Sequence, residues 1–342
     1  RAVRERFLEG LRVHGEYLMD CRVPFSDKSN WGVLESHGLF AIGAYLMKCR
    51  GNASGEGVVG AAAYDTDAHD TAATDTAAGL ARRGEAYVAE AVLRLVRELD
   101  IQIMDDGVQW EQSPMYHNEV MRCFLDVVLL ARRKEIPLPQ GMEETVRSMA
   151  RTAAAWQKPN GCEPMMGDSD DIDQRDLTTL TAAMFQDGEL KAAGYPRLDF
   201  ESVWELGAGE AARYEALPAR FPGRTDFAFS DSGNYVFRDR WGEEATWVRF
   251  HCGMLGAGHG HADQLHFDLS AYGEDVLTDS GRYTYVFGPA RREFKDLSGH
   301  NTVSVDSFPL YDCVDSWECG HLSRAVNRVF YSDGRYGYAE GG

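Results

Sequence analysis

A histidine-rich segment, Gly258-His259-Gly260-His261-Ala262-Asp263-Gln264, concentrates more chemically active side chains than any other stretch of this chain. His259 and His261 lie two residues apart, so on an extended segment their side chains point to the same side. Paired imidazoles of this kind are typical of a metal site, or of a base placed beside a metal. The alternative is a turn whose imidazoles make ordinary hydrogen bonds.

Two residues further along the chain could complete a metal site. Asp279 and His300 each stand beside a glycine and next to a strand-like run. Together with His261 they supply two imidazoles and a carboxylate, a donor set that suits zinc and, less often, manganese, with one position left for water. His266 and Asp268 share one face of a predicted strand and are candidates for supporting hydrogen bonds.

Five segments carry motifs in a fixed order along the chain. They are Glu111–Asn118, Gly167–Asp171, Gly258–Gln264, the Asp-x-Gly-x-Tyr-x-Tyr run from Asp279 to Tyr285, and His300-Asn301-Thr302-Val303. Together they resemble the heparinase II/III-like family of polysaccharide lyases. The resemblance implies an α+β fold in which a helical (α/α) toroid is followed by an antiparallel β-sandwich, both incomplete in this chain. It also implies β-elimination of uronic-acid-containing polysaccharides in a cleft between the two.

The resemblance further implies roles for particular residues. The family uses an Asn or His near Glu111–Asn118 to neutralise the C5 carboxylate of the uronate, a role that falls to Asn118 first and His117 second. A His and a Tyr are the usual base and acid in such lyases. His259 is the candidate histidine, and Tyr283 or Tyr285 is its candidate partner. The metal of the family resembles a structural or orienting ion more than a Lewis acid on the substrate.

The chain departs from the family pattern at one point. Relatives place a catalytic tyrosine some tens of residues after the His-Asn region, but no tyrosine occurs here between Tyr116 and Tyr195. Either a tyrosine from the strand-rich half takes the role, or a carboxylic acid held neutral by burial, such as Asp168 or Asp170, donates the proton. The same carboxylates motivate an alternative, a glycoside hydrolase on this scaffold. The missing tyrosine motivates another, a non-catalytic carbohydrate-binding protein.

The net charge of −19 argues against a nucleic-acid partner, which requires a basic surface. It also means that local cations must attract a polyanionic substrate. Such cations cluster after the Asp279 turn, at Arg282, Arg291, Arg292 and Lys295. The predicted substrate-binding residues are Tyr116, Asp170, Arg282 and Arg292.

Composition limits the class of protein in other ways. A chain of 342 residues with 44% hydrophobic content can bury a large core, and none of its apolar runs approaches the roughly 18 residues that span a bilayer. The seven cysteines are odd in number and form no CxxC pair, which favours reduced thiols and a cytoplasmic location, while periplasmic or secreted locations stay open. The chain starts without Met and ends on a strand-like run, so we expect the central portion of a longer protein.

The hydrophobic period changes along the chain and predicts two domains. Apolar residues three and four apart predict helices at 1–20, 33–49, 80–100, 114–134, 142–157 and 176–186, with a long loop at 51–79. Ser113-Pro114 is a typical helix start. From about residue 225 the period is two, which predicts strands. We therefore expect a helical domain at 1–217 and a β-sandwich domain at 222–342.

Overall fold

The computed structural model describes residues 2–48, 76–306, 308 and 310–342. The first two-thirds of the chain is helical, as the three- and four-residue apolar period predicts. The helices are α1 (Ala2–Asp20), α2 (Asn30–Leu46), α3 (Ala77–Gln102), α4 (Pro114–Lys134), α5 (Met142–Trp156), α6 (Arg175–Phe185), α7 (Gly188–Ala193), α8 (Phe200–Leu206) and α9 (Ala208–Ala216).

The remainder of the chain is mostly antiparallel sheet. A five-stranded sheet runs in the order β1-β2-β3-β4-β5, and two hairpins, β6-β7 and β8-β9, follow it. A short helix, α10 (Pro289–Lys295), lies between β5 and β6. The strands are β1 (Phe227–Phe229), β2 (Asn234–Arg238), β3 (Trp247–His251), β4 (His266–Ala271), β5 (Glu274–Leu277), β6 (Asp312–Cys313), β7 (Cys319–Gly320), β8 (Val329–Ser332) and β9 (Gly337–Glu340).

The two faces of the central sheet have different characters. One face carries buried polar side chains, because Arg249 of β3 pairs in register with Asp268 of β4 and both are buried. The opposite face is aromatic, and Phe330 of β8 stacks on Tyr235 at 5.7 Å between ring centroids. The β8-β9 hairpin therefore covers one face of the sheet, while the polar face points toward the residues that form the candidate site.

Contacts divide the chain into two compact units, which are described separately. The first unit comprises residues 1–101 and 123–142, and the second comprises residues 102–122 and 143–342. In the first unit, the Ser36 hydroxyl donates to the buried Glu98 carboxylate at 2.9 Å. Burial raises the pKa of Glu98 to about 7. Every candidate site residue named from the sequence belongs to the second unit.

Most predicted elements are present within a few residues of their expected ends. Helix α4 begins at Pro114, as predicted from Ser113-Pro114, and the change from helices to strands falls between Ala216 and Phe227. Most of the loop predicted at 51–79 lies outside the described residues, and its last residues belong to α3, which begins at Ala77. The two-domain division at 217 and 222 stays a prediction. Among the described helices, none combines the length and the apolar content that a membrane span requires.

Candidate active site

The Asp168 carboxylate is the centre of the candidate site. It is fully buried and accepts hydrogen bonds from His259 Nδ1 at 2.9 Å and His261 Nε2 at 2.8 Å. Arg291 donates to both carboxylate oxygens. Burial alone would raise the pKa of Asp168, but these three donors outweigh it and hold the pKa well below its usual range. Asp168 is therefore an ionised acceptor, and the predicted alternative of a neutral proton donor is not supported.

The loop that carries Asp168 is fixed by backbone contacts and by helix α4. Gly167 has φ +58°, and a Cβ there would lie 2.7 Å from the His259 carbonyl oxygen, so a larger residue would push the two segments apart. The hydroxyl of Ser169 accepts a hydrogen bond from the Met115 backbone N–H and contacts the Ser113 hydroxyl at 2.8 Å. Ser169 from this loop thus accepts from the first turn of α4.

The ring of His259 lies against aromatic side chains. It stacks on Tyr116 with centroids 3.5 Å apart and an interplanar angle of 17°. Tyr285 and Trp317 contact it edge-on at 6.1 and 5.3 Å. Because Asp168 accepts the Nδ1 hydrogen, the neutral imidazole carries its basic lone pair on Nε2. This orientation matches that of a histidine that acts as a base.

Of the two tyrosines proposed as partners for His259, only Tyr285 contacts it. The Tyr285 hydroxyl lies 2.6 Å from the Tyr116 hydroxyl, and burial raises the pKa of both groups. Tyr283 is 72% exposed, has φ +50°, and stacks on Phe294 at 5.2 Å. The contacts therefore favour Tyr285 over Tyr283 as the partner of His259.

The predicted substrate-binding arginines differ in their surroundings. Arg282 makes two hydrogen bonds to the Asp170 carboxylate, at 2.9 and 2.5 Å, and its guanidinium lies 4.9 Å from the ring centroid of Tyr285. Arg292 lies over the Phe287 ring at 4.6 Å. Arg282 is thus beside the tyrosine pair, whereas the contacts of Arg292 do not connect it to these groups.

The other two cations of this cluster are buried and hold the site together. Arg291 is fully buried, and its guanidinium donates to the Asp168 carboxylate. Lys295, 2% exposed, donates from Nζ to the Gly258 carbonyl oxygen at 2.7 Å. Because neither reaches solvent, the expectation that these cations attract a polyanion is wrong for both, and they position the histidine segment instead.

The predicted metal ligands come together. One ligand atom each from His261, Asp279 and His300 lies within 4.8 Å of the others. His261 Nδ1 and His300 Nε2 are buried and have no hydrogen-bond partner among the described residues, so each imidazole has one nitrogen that could bind a metal. His300 Nδ1 contacts the Asp279 carboxylate at 3.2 Å, and that charge raises the pKa of His300 to about 9 although burial opposes it. The donor set fits a divalent metal.

A second row of groups supports this trio from the polar face of the sheet. His266 Nε2 donates to Asp268 at 2.8 Å and lies 3.5 Å from Asp279, while its Nδ1 accepts from the Asn301 backbone N–H. Asp268 also binds Arg249 at 2.6 Å. His266 and Asp268 therefore lie on one strand face, as their spacing predicted, and hold the Asp279 carboxylate in place.

His117 is placed as a core residue. Its Nδ1 accepts from the Gln109 backbone N–H at 3.2 Å, its Nε2 donates to the Met149 carbonyl oxygen at 3.0 Å, and its ring packs edge-on against Trp156. Burial lowers the pKa of His117 to about 4. With both nitrogens occupied by backbone, the ring has no nitrogen for a substrate, and its predicted catalytic role is not supported.

Asn118 is held on a different side of α4 from Tyr116. Its amide nitrogen donates to Glu163 at 2.7 Å and to Gln174 Oε1 at 3.1 Å. The orientation is fixed because Gln174 uses its own NH₂ on the Ala153 carbonyl oxygen and on Gln157. Both amide hydrogens of Asn118 are therefore used, and a carbonyl oxygen repels a carboxylate. These contacts do not support the predicted binding of the uronate carboxylate by Asn118.

Three features of the site were missed from the sequence. Asp168 was considered only as a group that transfers protons, Arg291 only as a steering charge, and Trp317 was not considered, although its side chain is 49% exposed beside His259. A local signal for Asp168 was present, since it directly follows a glycine, Gly167, and precedes a run of acidic residues. Arg291 reaches Asp168 and Trp317 reaches His259 through long-range packing, which leaves no local sequence pattern.

Comparison with known proteins agrees with the motifs. Residues 80–189 match the family model described as the heparinase II/III N-terminus, and residues 222–340 match the model described as heparinase II/III-like, C-terminal. The chain belongs to the heparinase II/III-like family.

Curated relatives of the chain are named heparin-sulfate lyases. One, from Pedobacter heparinus, is 26% identical over 236 residues, which are 66% of this chain and 33% of the relative. Another, from Bacteroides stercoris, is 26% identical over 219 residues, 62% of this chain and 30% of the relative. The chain thus spans about a third of the length of the curated relatives it matches.

Solved structures share the fold. A heparinase III gene product superposes with a TM-score of 0.71 at 19% identity and covers 98% of this chain and 44% of its own. The heparan sulfate lyase HepC from Pedobacter heparinus gives 0.65 at 18% identity, covering 96% and 43%. These likenesses confirm the predicted fold class, a helical toroid portion followed by an antiparallel β-sandwich portion.

Proposed function

We propose that the full-length protein is a polysaccharide lyase that cleaves uronic-acid-containing polysaccharides by β-elimination. The observation that carries the proposal is the stacking of His259 on Tyr116, whose hydroxyl lies 2.6 Å from that of Tyr285. An oriented histidine beside tyrosine hydroxyls is the base and acid pair that elimination needs. The names of the curated relatives support an acidic polysaccharide as substrate.

The reaction explains what each group does. The proton at C5 of a uronate lies alpha to a carboxylate, so its removal by a base leaves an enolate-like dianion. The electron pair then forms the C4–C5 double bond and expels the glycosidic oxygen, which takes a proton from an acid. Water is not consumed. His259 Nε2, which the Nδ1 hydrogen bond to Asp168 leaves as the accepting nitrogen of the neutral ring, is the proposed base.

Tyr285 is the proposed acid. Burial raises its pKa, so the hydroxyl is protonated at neutral pH, and Tyr116 lies within hydrogen-bond reach to share the proton. Arg282, beside the Tyr285 ring, is the proposed cation that stabilises the carboxylate charge as it grows. It replaces Asn118 and His117 in that role.

We further propose that the cofactor is zinc, with manganese as the second choice, held by His261, Asp279 and His300. Bound there, the ion supplies a fixed positive charge that keeps its ligands in one orientation. Because Asp168 accepts from both His261 and His259, ordering the first imidazole also orders the second. The role of the ion is thus positional.

The alternative functions receive less support. A hydrolase using Asp168 and Asp170 needs one neutral carboxylic acid, but Asp168 is held ionised and Asp170 is paired with Arg282. A binding protein without turnover would have no use for an oriented His259 beside tyrosine hydroxyls.

The test is ultraviolet absorbance during incubation of the full-length protein with a panel of uronate polysaccharides, including heparan sulfate. Rising absorbance from the conjugated double bond is the expected result. New reducing ends without absorbance would establish a hydrolase instead. Binding of the polysaccharides without any cleavage would establish a carbohydrate-binding protein.

A further inference from the structure

A polar cavity lies on the Asn118 side of helix α4. Its volume is about 630 Å³, within the range typical of small-ligand sites. We call it the acidic cavity, since carboxylates dominate the charged groups of its lining. They are Glu119, Glu163, Asp173, Asp176, Asp199 and Glu201.

The positive charges near the acidic cavity do not neutralise it. Arg122 also lines the cavity, but its guanidinium binds Glu205. Asp173 is paired with Arg175. The pKa of Asp176 is raised, first by burial and then by neighbouring carboxylates, so like charges add to the cost of ionising it. A uronate or a sulfate would meet the same repulsion there.

Two hydrogen-bond acceptors at this cavity lack donors among the described residues. Glu163 is 2% exposed, and its Oε1 has no hydrogen-bond partner in the part of the chain that the structure describes. The same holds for Asn118 Oδ1, while the two side chains are joined by the bond from Asn118 Nδ2 to Glu163 Oε2. Buried acceptors of this kind are costly without a partner, so the pair is built to receive a hydrogen-bond donor.

The donor that fits best is an ammonium group. A metal ion would need several ligands at one point, and the described residues contain only one trio of His, Cys, Asp or Glu that is close enough, namely His261, Asp279 and His300. An ammonium group has three hydrogens and needs only separated acceptors. Burial raises the pKa of Glu163 to about 8, and a cation at Oε1 would relieve that cost of ionisation.

An apolar surface lies beside these acceptors. Phe200 lines the acidic cavity, and its ring stacks with that of Trp204 at 6.4 Å between centroids. Both side chains are 80% exposed on α8. Exposed aromatic rings next to hydrogen-bonding groups suit the C–H face of a pyranose ring, which is flat and apolar while its rim is polar.

We propose that the acidic cavity binds a sugar unit with an unsubstituted amino group, its ammonium at Glu163 Oε1 and Asn118 Oδ1 and its ring face on Phe200. This inference rests on the proposed function, because the sugar is taken to belong to the polysaccharide that the protein cleaves. The substrate class it defines is a uronate polymer whose alternate sugar is a free amine. Such a polymer is zwitterionic, in keeping with a protein of net charge −19.

The probes are two tetrasaccharides of glucuronate and glucosamine that differ only at nitrogen, one N-acetylated and one N-deacetylated. Calorimetry on the full-length protein should show the free amine binding about tenfold tighter or more, as expected of one hydrogen bond to a charged group. Glu163→Gln should remove the difference, because the free amine then loses its charged partner. Glu215→Gln, the same change of charge on α9, should preserve the difference.

Equal affinity for the two probes, or a difference that persists in Glu163→Gln, would overturn the inference. Because binding is measured without turnover, the two proposals fail separately. A preference for the amine without any double-bond formation would remove the lyase and keep the cavity assignment. Elimination of both probes with equal affinities would keep the lyase and remove the cavity assignment.

Discussion

Asp168 and Glu163 are buried carboxylates five residues apart in the loop after α5, yet they carry opposite charge preferences. Asp168 accepts from two imidazoles and a guanidinium, and its pKa is far below the usual value. Glu163 accepts from a single amide, and its pKa rises to about 8. Burial is common to both, so the partners decide the charge. The loop therefore places the ionised Asp168 beside the histidines and Glu163, which has no cationic partner among the described residues, at the acidic cavity.

Removing the charge of Asp168 should have the largest effect. Asp168→Asn leaves Arg291 buried without its carboxylate and reverses the hydrogen bond that orients His259. We expect a loss of about 3–5 kcal/mol in the free energy of unfolding, typical of breaking a buried ion pair, and about a thousandfold or greater loss of elimination rate, typical of a misoriented catalytic histidine. Chemical denaturation and the absorbance assay measure the two.

The matched control is Asp170→Asn, two residues along the same loop. Its partner Arg282 is partly exposed, so the ion pair should contribute about 0–1 kcal/mol. If the two variants were equally stable, the central role given to Asp168 would be wrong.

The tyrosines after Asp279 give the next largest effect. Tyr285→Phe removes the hydroxyl that meets Tyr116 and should lower the elimination rate by about a hundredfold or more, as for loss of a general acid. Tyr283→Phe removes an exposed hydroxyl and should leave the rate within about twofold, because substitutions at exposed positions have little effect. Equal rates for the two variants would mean that the acid lies elsewhere.

His261 connects the proposed metal site to Asp168, the carboxylate that also accepts from His259. His261→Ala should release the metal, measured by elemental analysis of the purified protein, and lower the elimination rate by about ten- to a hundredfold, as for loss of an orienting partner. His259→Ala should abolish elimination and keep the metal. Loss of metal from the His259 variant would make His259 a ligand and contradict its assignment as the base.

The sequence predicted the components of this site better than their connections. His259 and His261 were expected on one side, and both do bind one carboxylate, although residues 258–264 form turns and not a strand. The metal trio followed from donor chemistry and meets in the fold. The sequence did not identify the carboxylate that the two histidines share, because Asp168 lies about ninety residues away in sequence and only packing brings it to them.

The contacts of Tyr283 and His117 do not support their predicted roles, for two different physical reasons. Tyr283 and Tyr285 are two apart, and a regular strand would point them to the same side. The left-handed backbone at Tyr283 breaks that alternation. The role of His117 was predicted from its motif, but a position in the first turn of a helix does not determine whether the ring is buried. Here the ring is buried against Met149 and Trp156.

The smallest effect concerns the pH dependence of folding stability and tests Glu163. The pKa of Glu163 is about 8 in the folded protein against 4.5 when unperturbed, so its ionisation opposes folding. The penalty is absent below about pH 4.5, grows as the pH rises to about 8, and is complete above it. Glu163→Gln should therefore raise the thermal midpoint relative to wild type at pH 9 and change it little at pH 5, measured by calorimetry without ligand. The behaviour of Asp168 has the opposite sign, since its stabilisation is present above its unfolded pKa near 3.8 and is lost as the pH falls further. A midpoint difference for Glu163→Gln that is the same at both pH values would mean that Glu163 has a charged partner, and that the two carboxylates do not differ in the way their contacts indicate.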